Sequence, residues 1–170
     1  LSAAILLKKV GCDVTVFEKE DRVSTEGAGI QITSNGLFVL EQIDLYNKVT
    51  NCGVKPDNLC FYDTDSLQKI GKLEILDRMK KRYGKSFVSL RRALLIKVLF
   101  QKVKSEKIAV KFGVKVLPLF KKGQQGFSII YDGEELKKDL IVVADGVNST
   151  WKKTIFSEIK RRSISQTAYR

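Results

Sequence analysis

Glu18 stands at the end of a short apolar run, Val14-Thr15-Val16-Phe17, that follows a helical stretch and a glycine. A carboxylate offers two acceptor oxygens, and in dinucleotide-binding βαβ units an acid at the end of the second strand takes the hydroxyls of the adenosine ribose. Gly27, Ala28 and Gly29 form a run of small residues where backbone can approach a ligand closely. A third motif, Asp145-Gly146, closes the apolar stretch LIVVA. The 170 residues include no histidine, which removes the commonest general base, the serine–histidine and cysteine–histidine nucleophile systems, and most zinc sites. Cys12, Cys52 and Cys60 lack CxxC spacing and read as the reduced thiols of a cytosolic protein. The expected chemistry is that of a bound cofactor, which protein groups hold and orient.

Those motifs need elements to position them. Residues 1–10 read as a helix with Ala3, Leu6, Leu7 and Val10 on one face and Gly11 at the C-terminal cap. The run after it suits a strand buried on both faces of a parallel sheet. Ile30-Gln31-Ile32 reads as a short strand, and Ser34 as the cap of a helix that turns Leu37, Leu40 and Ile43 inward. Between Val54 and Ile75 the pattern changes to two alternating stretches, LCFYD and KIGKLEI, read as an antiparallel pair. Residues 92–104 carry Leu94, Leu95, Val98, Leu99 and Val103 on one helical face. A strand over Ile108–Phe112 follows, then a hairpin of Val114–Leu119 and Phe127–Tyr131 joined through KKGQQG, then a strand over Leu140–Ala144 and a final helix. The order is that of an α/β fold, a parallel sheet with an antiparallel insertion.

Bulk properties bound the function. The length suits one domain with a core but not two complete ones. No apolar run approaches the ~20 residues of a membrane helix, no signal peptide is evident, and the first residue is Leu1. The net charge of +12 comes from lysines spread in pairs, with one dense cluster, RMKKRYGK, that lacks the alternating aromatics needed to stack bases. It reads as a solvated lysine-rich surface, the alternative being an anionic partner such as the phosphates of NADPH, and no nucleic acid is expected.

Five blocks in order resemble one family. LSAAILLKKVGCDVTVFEK resembles the stretch that follows GxGxxG in the FAD-dependent aromatic-ring hydroxylases, the class A flavoprotein monooxygenases that include p-hydroxybenzoate hydroxylase, salicylate hydroxylase and zeaxanthin epoxidase. GAGIQITSNGLFVLEQIDL, SLRRALLIKVL, DLIVVADGVNSTWKK and the terminal ISQTAYR are similar to its later motifs. The resemblance implies a Rossmann-like FAD-binding sheet with a β-hairpin insertion, part of an antiparallel substrate-domain sheet, and a missing first strand. It places an incomplete FAD-binding domain at 1–53 and 85–157 and a partial substrate domain at 54–84 and 158–170.

The same resemblance implies roles. Glu18 would bind the adenosine ribose of FAD, and the backbone at Ala28, Gly29 and Ile30 would pass near the flavin. Arg91 would reach the pyrophosphate, Val116 would pack against adenine, and Asp145 and Gly146 would lie near the pyrophosphate. NAD(P)H would be the reductant, O₂ the oxygen source, and an aromatic ring or alkene the substrate. No residue is assigned a catalytic role, and the setting is cytoplasmic. The pattern departs from the family at Leu90, Ala93, Val143 and Lys152, where histidine, aspartate, glycine and arginine are usual. GxGxxG is absent at the front, so weak FAD binding by the chain alone is expected. A flavin-dependent reductase of the same fold and a noncatalytic remnant remain as alternatives.

Overall fold

The computed structural model describes residues 1–24, 27–119 and 127–155. The chain divides into two compact units, Leu1–Val16 with Val23–Val110, and Phe17–Arg22 with residues 111–170.

The first unit begins with α1 (Ser2–Lys9). Gly11 N–H donates to Lys8 O and Cys12 N–H to Leu7 O, the two closing bonds of a Schellman motif, so Gly11 ends the helix as its position suggests. The buried face differs from the expected one: Ala4 and Ile5 are buried, while Ala3 and Val10 are exposed. Positions 3 to 7 are all apolar, so periodicity alone does not choose the stripe. β1 (Thr15–Phe17) pairs with β6 (Ala109–Lys111). Beyond the strand ends the bonds Glu18 N–H to Lys111 O and Gly113 N–H to Glu20 O ascend together, the parallel sense.

β2 (Gly29–Ile32) pairs antiparallel with β5 (Val88–Arg91), a partner the sequence did not announce. α2 (Ser34–Gln42) starts from Thr33, not Ser34. Thr33 contacts the Asn35 side chain. Ser34 is buried and donates its hydroxyl to Lys85 O at 2.8 Å, stitching the helix to the segment that leads into β5. α3 (Tyr46–Asn51) and α5 (Arg92–Ser105) complete the packing. Leu37, Ile43, Val49, Val88 and Val103 are fully buried, with Leu40 and Leu99 beside them. Lys85 is held in this unit by Glu41 at 2.6 Å and by the rings of Phe38 and Tyr46, each 4.7 Å from its ammonium.

The antiparallel excursion is β3 (Asn58–Tyr62) with β4 (Lys69–Glu74). Its turn is organised by Asp63, whose Oδ1 accepts the amides of Asp65 and Ser66 and the Ser66 hydroxyl. The basic cluster that follows is helical, α4 (Ile75–Tyr83): Asp77 lies in its first turn, Lys80, Lys81 and Arg82 in its last, and Gly84 takes the left-handed cap.

The second unit holds a three-stranded antiparallel sheet in the order β7 (Leu117–Leu119), β8 (Phe127–Tyr131), β9 (Glu134–Lys138). Pro118 sits on an edge strand, where its missing N–H costs least. The expected hairpin is present, although its KKGQQG connection lies outside the described residues, as does ISQTAYR. The expected strand over Leu140–Ala144 is corrected: these residues form no strand, and Leu140, Val142 and Val143 are exposed. An apolar run becomes a strand only where a neighbour takes up its amides and carbonyls, and no described strand pairs with it. The unit ends in α6 (Thr150–Ile155). No helix among the described residues is long and apolar enough to cross a membrane.

Candidate functional site

In the second unit the site grows from Asp145-Gly146. Gly146 has φ +81°, and Ser149 N–H donates back to Gly146 O at 3.1 Å, so the chain reverses there. A side chain at position 146 would meet no atom within 4 Å, so the glycine answers to backbone geometry and not to crowding. Ser149 then accepts the Lys152 amide on its hydroxyl at 2.9 Å, the side-chain cap that starts α6. Trp151, nearly buried, donates its indole N–H to Val116 O at 3.2 Å. Trp151, Asp145, Gly146 and Lys152 share a cleft of about 500 Å³.

Glu18 lies in this unit as well. Its amide bonds Lys111 O at 2.8 Å and its carbonyl accepts from Val114 N–H at 2.9 Å, two residues before Val116. Its carboxylate Oε1 accepts the Glu20 amide at 3.1 Å, which steadies the side chain at the strand end. Phe17, beside it, stacks on Tyr131 with ring centres 5.1 Å apart. Glu18, Val116, Asp145 and Gly146, widely separated along the chain, thus belong to one folded unit.

The other four positions lie in the first unit and meet through the β2–β5 ladder. Gly29 stands opposite Arg91 and Ile30 opposite Leu90. The ladder runs on into the loop: Arg92 N–H donates to Ala28 O at 3.2 Å. A β-carbon at Gly27 would come within 3.3 Å of Arg92 Cδ and 3.4 Å of its guanidinium, which a flexible side chain can accommodate, but the residue has φ +130°, which favours glycine there. The small-residue loop therefore lies against the Arg92 side chain.

Three contributors escaped sequence reasoning. Trp151 is the single tryptophan of the chain, and Ser149 ahead of a helix is a recognisable cap signal. Arg92 had the same claim as its neighbour. Among the described residues no cluster of three or more histidine, cysteine or acidic groups could hold a metal ion. Cys12, Cys52 and Cys60 are free.

No family model matches the chain. The chain is 29% identical over 161 residues to the FAD-dependent monooxygenase ctvC of Aspergillus terreus, covering 92% of this chain and 33% of that protein. It is 27% identical to 3-amino-4-hydroxybenzoate 2-monooxygenase of Streptomyces cremeus, over 95% of this chain and 40% of the relative. It is 25% identical to 3-hydroxybenzoate 6-hydroxylase 1 of Aquipseudomonas alcaligenes, over 100% and 43%. Among solved structures, 2-methyl-3-hydroxypyridine-5-carboxylic acid oxygenase superposes with a TM-score of 0.72 at 27% identity, covering 87% of this chain and 37% of that one. For pqsL of Pseudomonas aeruginosa, at 20% identity, the TM-score of 0.79 over 96% of this chain speaks for the fold alone. The chain is a homologue of FAD-dependent monooxygenases. It spans between 33% and 42% of the length of the first curated relatives it matches.

Proposed function

We propose that this chain is the FAD-binding portion of an FAD- and NAD(P)H-dependent monooxygenase that places one atom of O₂ into an aromatic or alkene substrate, in the cytoplasm. The observation that carries the reading is the cleft at Asp145-Gly146, with Trp151 tying it to the Val116 backbone. A tight glycine turn beside a cleft suits a pyrophosphate, and the Val116 backbone, held by the Trp151 indole, suits packing against an adenine. Glu18 keeps a second carboxylate oxygen for a ribose hydroxyl. In the first unit the Gly27–Gly29 loop and the extended backbone at Ile30 suit the close passage of a flat ring. A guanidinium there supplies planar donors for phosphate oxygens. The resemblance gives that role to Arg91; the contact of Arg92 with Gly27 and Ala28 favours Arg92.

FAD would supply the redox and oxygen chemistry, and the residues of this chain would bind it, orient it and exclude water. We assign 1–53 and 85–157 to the FAD-binding domain and 54–84 with 158–170 to the substrate domain. The exposure of Phe61, Tyr62 and Ile70 on the β3–β4 hairpin supports a surface made to be covered.

The experiment is an FAD titration of the purified chain followed by the fluorescence of Trp151, the only indole present. Weak but saturable quenching is expected, and it weakens further in Asp145→Ala. Quenching that stays linear with added FAD, or is the same in the variant, removes the cleft from the reading.

A further inference from the structure

Consecutive residues at a strand end point to opposite sides, and Arg91 and Arg92 part in this way. Arg92 lies against Gly27, whereas Arg91 lines a separate cleft of about 490 Å³ along α5. Lys97, Gln101 and Lys104 line it too, at the spacing that gathers helix side chains on one face, together with Leu94 and Phe100. Lys104 folds its ammonium 4.8 Å over the Phe100 ring, one turn back toward Lys97. Two charges whose backbones start about 10 Å apart along the axis are thereby drawn together. Among the described residues no carboxylate lines the cleft, and no ion pair engages Arg91, Lys97 or Lys104. Lys102, off this face of the same helix, is by contrast matched by Glu106 at 2.9 Å and Asp44 at 3.7 Å.

Three uncompensated cations around a bounded, half-apolar cleft fit a compact dianion carried by an organic body. A nucleic acid would need charge laid out as a track, with aromatics to stack successive bases. A phosphate monoester bears nearly two charges near neutrality, a diester one. We propose that this cleft binds the 2′-phosphate end of NADPH, the ammonium groups of Lys97 and Lys104 and the guanidinium of Arg91 donating to the phosphate oxygens. The proposal rests on the reading of the chain as part of an NAD(P)H-dependent enzyme, and it assigns the preference between the two reductants to α5.

Calorimetric titration of the chain with NADP⁺, NAD⁺ and inorganic phosphate tests it. Each ammonium–phosphate bond is a charge-assisted contact, so NADP⁺ is expected to bind about tenfold or more tighter than NAD⁺. In the double variant Lys97→Ala/Lys104→Ala that advantage disappears, while NAD⁺ binds as before. Both side chains are exposed, so the fold is not at risk from the change. Equal binding of the two nucleotides, no detectable binding of NADP⁺, or an advantage that survives in the double variant overturns the proposal. Inorganic phosphate binding as tightly as NADP⁺ overturns it also, since the nucleotide would then contribute nothing. The FAD titration above, run on both proteins, separates the two readings. Intact quenching without an NADP⁺ advantage sinks only the α5 cleft, and the reverse sinks only the flavin site.

Discussion

Gly53 sits where the chain enters the β5 side of the first unit, and its replacement by alanine has a cost that the structure sets. The new β-carbon would lie 2.4 Å from Val88 Cγ1, 2.9 Å from Ser89 O and 3.2 Å from Leu90 Cβ. None of these neighbours gives way easily. Val88 is fully buried and β-branched, so its rotamer is fixed by packing. Ser89 O is engaged by the Val54 amide at 2.8 Å, one half of the bridge that joins the two segments. Overpacking a well-filled interior costs about 1–3 kcal/mol, and with a backbone oxygen among the obstacles the upper half of that range applies. At a urea m-value of about 2 kcal/mol/M this is a midpoint shift of about 1 M. Gly71→Ala is the internal comparison. Its β-carbon meets only Phe61 Cδ2, at an ordinary 3.7 Å, so its stability stays within about 0.5 kcal/mol of the parent. Urea unfolding of the three proteins, followed by circular dichroism at a common m-value, decides. Gly53→Ala and Gly71→Ala with the same midpoint would refute the claim that close packing beneath β5 fixes the strand that carries Arg91.

Trp151→Phe removes the indole bond to Val116 O and part of a buried ring, so a loss of about 1–2 kcal/mol is expected in thermal unfolding; no loss would mean that α6 is not anchored through that bond. The Asp63 carboxyl is held below the ordinary aspartate range, first by the Ser66 amide and then by its hydroxyl. Because the folded value is depressed, its contribution to the hairpin is present above the unfolded value and fades as pH falls through the folded one. A carbon-detected NMR titration of Asp63 checks this, and a midpoint at or above the ordinary range would contradict it.

The strongest local signals in the sequence carried through to the structure. Gly11 ends α1, the acid after Phe17 ends β1, the apolar face of α5 reaches the core, and two alternating stretches pair as β3 and β4. The failures have physical reasons. β9 reads EELKK, with one apolar residue among charges, because an edge strand needs little inward surface and is guarded by charge. α4 looked like a solvated basic cluster because it buries no residue; its signature was electrostatic, acid first and base last. Leu140–Ala144 had the composition of a buried strand, but composition cannot supply the neighbouring backbone that a strand requires.

The arginine pair shows the same limit at the site itself. Arg91 and Arg92 are identical in type and adjacent, so no propensity or spacing separates them. What separates them is that β5 ends between them. Arg91 is the last ladder residue, opposite Gly29, and lines the α5 cleft. Arg92 is the first residue of the helix, its amide turned back to Ala28 and its stem laid across Gly27. One residue of register therefore sends two equal charges to two different surroundings. The long-range partner that sets the register, β2, lies some sixty residues earlier in the chain, and only the folded ladder assigns each guanidinium its side.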